Sequence, residues 1–287
     1  MSAFLDELVA FLNKQPNDLI RVSVVCGDED PETHEFINTN RCQDVYSCAK
    51  AFTMTAIGLL YDKGLLLPES KVCDILKKYI PESGMDQRWY DITVEMALTH
   101  SAGFPGGYLD IDVNNAMMFG RDHLGYMMTQ PLVYDPGTEG RYSDGAYYLL
   151  ARVAEEIAEK GMDDLLWDEL FYNMKYREAA FSHCPMGHVI GATGLYIHTE
   201  ELVKLGQLYL NHGVYKGKRL LSEEWTRIVS EKGYCFNRDE YSSMYSKGGM
   251  YGQNLIVIPE LNRAVAVEAY GEGSGAVSEF IRNCIKK

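Results

Sequence analysis

The chain has 287 residues, with 27 Lys and Arg against 41 Asp and Glu, giving a formal charge of −14. Phosphate recognition needs clustered cations, so this balance argues against a nucleic-acid partner, and no stretch approaches the ~18 apolar residues of a membrane-crossing helix. At about 150 residues per domain the length suits one large domain or two lobes, and 46% hydrophobic with 24% charged residues is an ordinary globular composition.

The opening MSAFLDELVAFLNKQPND sets Phe4, Leu5, Leu8, Val9, Phe11 and Leu12 at helical spacing, with Asp6 and Glu7 among them and no basic n-region. This predicts a helix rather than a signal peptide. Two strands are predicted next, LIRVSVVC (19–26), bounded by Gly27-Asp28-Glu29-Asp30, and HEFINTN (34–40). SCAKAFTMTAIGLLYDK (47–63) reads as a helix closed by Gly64. From about 68 to 233 the periodicity is mainly helical, clearest in DGAYYLLARVAEEIAEKG (144–161) and TEELVKLGQLYLNHG (199–213). Residues 104–124, rich in Gly, Asn, Met and aromatics, read as a partly irregular loop. YGQNLIVIP (251–259) and RAVAVEAY (263–270) are strands joined at Glu260-Leu261-Asn262, and GAVSEFIRNCIKK closes the chain as a helix.

Strands at both ends with helices between predict an α+β fold, with one sheet formed by both termini, flanking helices and an inserted helical lobe. The expected partition is an α/β lobe of about 1–66 and 234–287 around a helical lobe of about 67–233. The seven cysteines (26, 42, 48, 73, 184, 235, 284) are scattered without a CxxC pair. Reduced thiols and the absence of a basic leader give the expectation of a cytoplasmic protein.

Three short motifs carry chemistry. Ser47-Cys48-Ala49-Lys50 puts a hydroxyl and an amine one helical turn apart at a helix start, where the amine can take the hydroxyl's proton. The plainer alternative is a capping Ser and a solvated Lys. Tyr142-Ser143-Asp144 follows a Pro-Gly turn just before a helix, where a phenol can project and serve as base or proton relay. Tyr108-Leu109-Asp110 and Tyr209-Leu210-Asn211 fit the same pattern. Tyr209 is expected to pack within its helix, and Tyr108 to line a site at most. Lys247-Gly248-Gly249-Met250 leads into a strand, where glycines admit a substrate to the backbone and a strand N–H can receive an oxyanion. A flexible turn with a solvated Lys is the alternative there.

Taken in order, these motifs resemble the S-x-x-K, Y-x-N and K-[TS]-G set of the serine β-lactamase and penicillin-binding-protein superfamily, and within it the class C branch with its related esterases and D-peptidases. Ile92-Thr93-Val94 with Ala97 to Pro105, Gly194-Leu195-Tyr196 before Thr199 to Gly206, and KGGMYGQNLIVIPE are similar to further segments of that family, so the resemblance covers nearly the whole chain. It implies Ser47 as acylated nucleophile, Lys50 and Tyr142 sharing the proton traffic, and Asp144 and Lys247 at the substrate. The N–H groups of Ser47 and Met250, with Gly249 beside them, would form an oxyanion hole. It implies an ester, amide or β-lactam substrate and neither metal nor cofactor.

Two positions depart from the family. Asp144 stands for Asn and should favour the ammonium form of Lys50, shifting the base role to Tyr142. Gly248 stands for Thr or Ser, removing a hydroxyl that holds a β-lactam carboxylate. Both point away from an efficient β-lactamase and towards an esterase or small-amide or peptide hydrolase, with a true β-lactamase or a D-alanyl-D-alanine carboxypeptidase as the alternative. A non-catalytic acyl-binding sensor of the same fold is the competing class. A third possibility is zinc held by His183, Cys184 and His188.

Overall fold

The structure is a computed structural model and describes residues 2–15, 18–271 and 273–286; the predicted end helices include residues 1, 16, 17 and 287, which lie outside that set. In chain order the elements used below are α1 (Ala3–Leu12), β1 (Leu19–Cys26), β2 (Glu32–Glu35), β3 (Cys42–Asp44), α2 (Ala49–Asp62), α3 (Asp144–Ala158), β4 (Leu195–His198), α4 (Thr199–Leu210), β5 (Asn237–Arg238), β6 (Tyr245–Gly248), β7 (Asn254–Ile258), β8 (Arg263–Ala269) and α5 (Ser274–Ile285). The chain divides into two compact units, one of residues 1–48, 172–180 and 195–287, the other of residues 49–171 and 181–194.

The first unit is built on a six-stranded sheet in the order β2-β1-β8-β7-β6-β5. Both chain ends meet at its centre, where β1 and β8 run antiparallel with Val22 opposite Val267 and Val24 opposite Val265. Because strand side chains alternate between faces, Val22, Val24, Val265, Val267, Ile256 and Ile258 turn one way, into a cluster with Leu5, Leu8 and Leu12 of α1 and Val277 and Ile281 of α5. The Ser2 hydroxyl accepts from Leu5 N to start α1, and Phe4 packs edge-on to Phe280, with ring centres 5.5 Å apart. The opposite face carries Leu255 and Ala264, and α4 lies against it. A Cβ on Gly206 of α4 would stand 2.9 Å from both, so glycine sets this close approach.

A buried charged rung crosses this sheet. Arg21 and Glu268 are partners in register, paired at 3.1 Å, and both are almost fully buried. Arg21 also donates to Thr39 O and Asn40 O, and Thr199 Oγ1 donates to Glu268. Burial nevertheless lifts the Glu268 carboxyl above its ordinary value.

In the second unit α2 packs on α3. Twelve residues of α2, from Ala49 to Leu60, are buried, so it is the hydrophobic-all-round helix of an interior rather than an amphipathic surface one. Phe52 meets Phe171 edge-on, with ring centres 5.8 Å apart. Among the described residues no helix is long and apolar enough to cross a membrane.

Several boundaries differ from the sequence expectation. The strand expected at 34–40 is β2, four residues at a sheet edge that ends at Glu35. The helix expected from Ser47 begins with a 3-10 turn, Tyr46–Cys48, before α2. The compact units also cut the chain elsewhere than at 66 and 233: α2 belongs with the helices because it buries itself against α3, and α4 belongs with the sheet because Gly206 seats it there.

Removing one member of a buried ion pair strands the other charge. Arg21→Met should therefore lower the unfolding free energy by about 3–5 kcal/mol, read from urea denaturation.

Candidate active site

In the helical unit, Lys50 is the second residue of α2 and its side chain is fully buried. Its Nζ donates to Asp144 Oδ1 at 2.6 Å and to the Ala192 carbonyl at 2.9 Å. Asp144 opens α3, where the positive end of the helix dipole favours a carboxylate. The Tyr142 ring lies over the same ammonium, 4.8 Å from Nζ to its centre, and Tyr147 is 5.8 Å away. Burial opposes charge on Lys50, yet the Asp144 carboxylate and then Tyr142 hold its ammonium above the ordinary lysine value. The expected trio Lys50, Tyr142 and Asp144 is thus brought together.

Two further parts of this unit set that geometry. Gly191, at φ +69°, sits so close to α2 and α3 that an added Cβ would stand 2.8 Å from Ala151 Cβ and 3.0 Å from Thr53 Oγ1. Thr53 donates to Gly191 O at 2.6 Å, which delivers the next carbonyl, Ala192, to Lys50. His100 holds the approach to Tyr142 from both sides. Its carbonyl accepts from Arg141 N at 2.8 Å, and its Nδ1 accepts from Ser143 N at 3.2 Å. The His100 and Tyr142 rings lie 4.5 Å apart, centre to centre.

The loop 104–124 adds carboxylates that sequence reasoning did not assign to the site. Oxygens of Asp110, Asp112 and Asp144 all lie within 4.8 Å of one another, and Thr193 Oγ1 donates to Asp112 at 2.6 Å. Burial, then the Asp144 charge, raises the Asp110 carboxyl; at Asp112 burial again comes first, offset in part by Thr193. The D-x-D spacing of Asp110 and Asp112 was the available signal. Tyr108 packs instead: its ring stacks near Phe104 and Tyr126, a Cβ on Gly145 would touch it, and burial raises its phenol. Tyr209 is buried against Phe236, as expected of a packing residue.

The sheet unit gathers the other expected residues. Ser47 is the middle residue of the 3-10 turn that leads into α2. Tyr46 enters this turn at φ +46°, anchored by its N–H to Asp44 Oδ1 at 2.7 Å. The turn is tied to β6, because the buried Cys48 thiol donates to Lys247 O at 3.0 Å. Lys247 is itself buried within β6. The glycine stretch after β6 presses on the same turn: a Cβ on Gly249 would stand 2.5 Å from Val45 O. Gly249 N donates to Gln253 O at 2.8 Å, which folds Met250–Gly252 into a tight turn. Ser47, Lys247, Gly249 and Met250 therefore share one local assembly.

The His183, Cys184 and His188 side chains are not gathered for a metal. His183 goes to Asp163, His188 to Glu155 at 2.8 Å, and the Cys184 sulfur accepts from Tyr148.

Comparison with known proteins agrees with this architecture. A protein of Escherichia coli K12, provisionally named a D-alanyl-D-alanine carboxypeptidase, is 22% identical over 81% of this chain; the chain spans 64% of that relative's length. A penicillin-binding-protein homologue from Caulobacter crescentus superimposes with TM-score 0.77 at 14% identity, covering 98% of this chain and 96% of its own. The hydrolase EstCE1, with promiscuous acyltransferase activity, gives TM-score 0.75 at 12% identity, covering 99% and 98%. At these identities the likeness to solved structures speaks for the fold. The family profile named Beta-lactamase matches residues 22–277, and the chain belongs to this family of hydrolases.

Proposed function

We propose that the chain is a serine hydrolase acting through an acyl-enzyme on a small ester or amide. The observation that carries this reading is the buried ammonium of Lys50, held by Asp144 and the Ala192 carbonyl directly beneath Tyr142. Ser47 is the nucleophile. A lysine kept charged cannot accept the proton that Ser47 must lose, so Tyr142, acting as phenolate, takes it as Oγ bonds to the substrate carbonyl carbon. Lys50 supplies the cation that steadies the passing charge. The N–H groups of Ser47 and Met250 receive the oxyanion. When the tetrahedral adduct collapses, Tyr142 returns the proton to the departing alcohol or amine. Water then attacks the acyl-enzyme by the same route in reverse, releasing the acid and restoring Ser47.

The substrate preference follows from charge and shape. Asp110, Asp112 and Asp144 lie together and disfavour an anionic group beside them, and Gly248 offers no hydroxyl to a β-lactam carboxylate. The relative named for D-alanyl-D-alanine carboxypeptidase and the hydrolase with promiscuous acyltransferase activity both fit an acyl-transfer site. A neutral ester or amide is favoured over a β-lactam, so nitrocefin should be turned over far more slowly than short p-nitrophenyl esters.

Ser47→Ala should abolish p-nitrophenyl butyrate hydrolysis and fluorophosphonate labelling, and equal activity in variant and parent would remove Ser47 from its role. Tyr142→Phe should lower kcat/KM by about 10²–10⁴-fold. In an Asp144→Asn background the same change should cost less, because losing the carboxylate lowers the Lys50 pKa and returns part of the base role to its amine. Equal losses in both backgrounds would show that Asp144 does not assign the proton acceptor. His100→Ala should lower kcat with little change in KM, since it removes the Nδ1 acceptor of Ser143 N and the ring packed on Tyr142 while leaving the backbone bond from Arg141 in place.

A further inference from the structure

Three tyrosines of the sheet unit form a continuous aromatic group. The Tyr46 ring meets Tyr251 edge-on, with centres 5.3 Å apart and planes at 69°. Tyr251 stacks on Tyr270 at 4.9 Å and 17°. They come from three separate segments: the turn that carries Ser47, the glycine turn that carries Met250, and the residue just after β8.

Core packing does not explain the group. Tyr251 is 44% exposed and Tyr270 is 68% exposed, so two of the three rings keep much of their surface open. The backbone is also bent to present them. Tyr46 and Tyr251 both lie in the left-handed region, at φ +46° and +58°, which bulky residues seldom occupy. Local contacts hold them there. Tyr46 N donates to Asp44, and Tyr251 O accepts from Gly271 N at 2.9 Å. Gly252, at φ +89°, approaches Gly271 O so closely that a Cβ would stand 2.7 Å from it. Strained, exposed aromatics that adjoin the proposed nucleophile and an oxyanion donor in the chain are the mark of a ligand surface rather than a buttress.

We propose that Tyr46, Tyr251 and Tyr270 form a binding subsite for an aromatic or otherwise planar ring carried by the substrate. The inference rests on the serine-hydrolase reading and narrows it to ring-bearing esters or amides. Aromatic faces prefer offset-stacked or edge-to-face partners over saturated rings of the same size, which is the contrast that a test can read.

Two pairs of esters supply it. p-Nitrophenyl 3-phenylpropionate against p-nitrophenyl 3-cyclohexylpropionate places the ring in the acyl group; benzyl acetate against cyclohexylmethyl acetate places it in the leaving group. The aromatic member should be favoured about tenfold in kcat/KM in one pair, and the pair that shows it tells which side of the substrate the tyrosines hold. Tyr251→Leu and Tyr270→Leu should each bring that ratio towards one, whereas Tyr251→Phe should preserve it. No ring preference in either pair, or a preference unchanged by both leucine variants, overturns the subsite. If no ester is hydrolysed and Ser47 takes no fluorophosphonate, the hydrolase reading has failed instead. The subsite is then judged by saturation-transfer NMR: 3-phenylpropionate should bind in preference to 3-cyclohexylpropionate in the parent and not in Tyr251→Leu, and equal binding overturns it.

Discussion

The buried pair of Lys50 and Asp144 is the constraint around which the helical unit is arranged. Two charges withdrawn from water cost several kcal/mol each unless their partners are well placed. Here the partners come from four stretches of chain: the start of α2, the start of α3, the Tyr142 segment and the Ala192 carbonyl. Two of these have an anchor of their own. Gly191 and Thr53 fix the carbonyl, and His100 fixes the segment before α3. A fold that merely needed stability would fill this space with apolar side chains. Keeping an ammonium there commits the surrounding structure to holding it.

That commitment also divides the chemical labour. In a motif with Asn at position 144 the lysine would have no fixed negative partner and could alternate between its two protonation states. With Asp144 in contact, Lys50 is held in its ammonium form with the Tyr142 ring beside it. In the sheet unit it is the backbone around Ser47 that is fixed. Its turn at Ser47 is held by a thiol hydrogen bond and by the approach of Gly249 to Val45, both of which fix main-chain N–H groups without adding a side chain that could compete for a proton.

The parts legible in the sequence were those with local signals. β1, β7 and β8 showed as β-branched runs and α3 and α4 as amphipathic repeats, and the three short motifs fell at element boundaries where side chains project. The rest depends on contacts between residues far apart in the chain. Nothing around Ala192 announces that its carbonyl meets Lys50, 142 positions away. Asp110 and Asp112 lie in a loop with no periodicity, so their convergence on Asp144 depends on how that loop folds back. The tyrosine group comes from positions 46, 251 and 270, and no spacing rule links them. The 3-10 turn before α2 escaped notice because helical propensity does not register a positive φ at Tyr46.

The two neighbouring glycines after Lys247 have opposite freedoms. Any side chain at Gly249 would collide with the Val45 carbonyl, so that position is closed to variation while the Ser47 turn keeps its shape. At Gly248 the nearest obstacle to a Cβ is Gln253 O at 3.9 Å, an ordinary contact. The Cβ of a Ser or Thr is therefore sterically admissible at that position. One substitution at position 248 would therefore complete a Lys-Thr-Gly or Lys-Ser-Gly sequence here without steric obstruction of its Cβ.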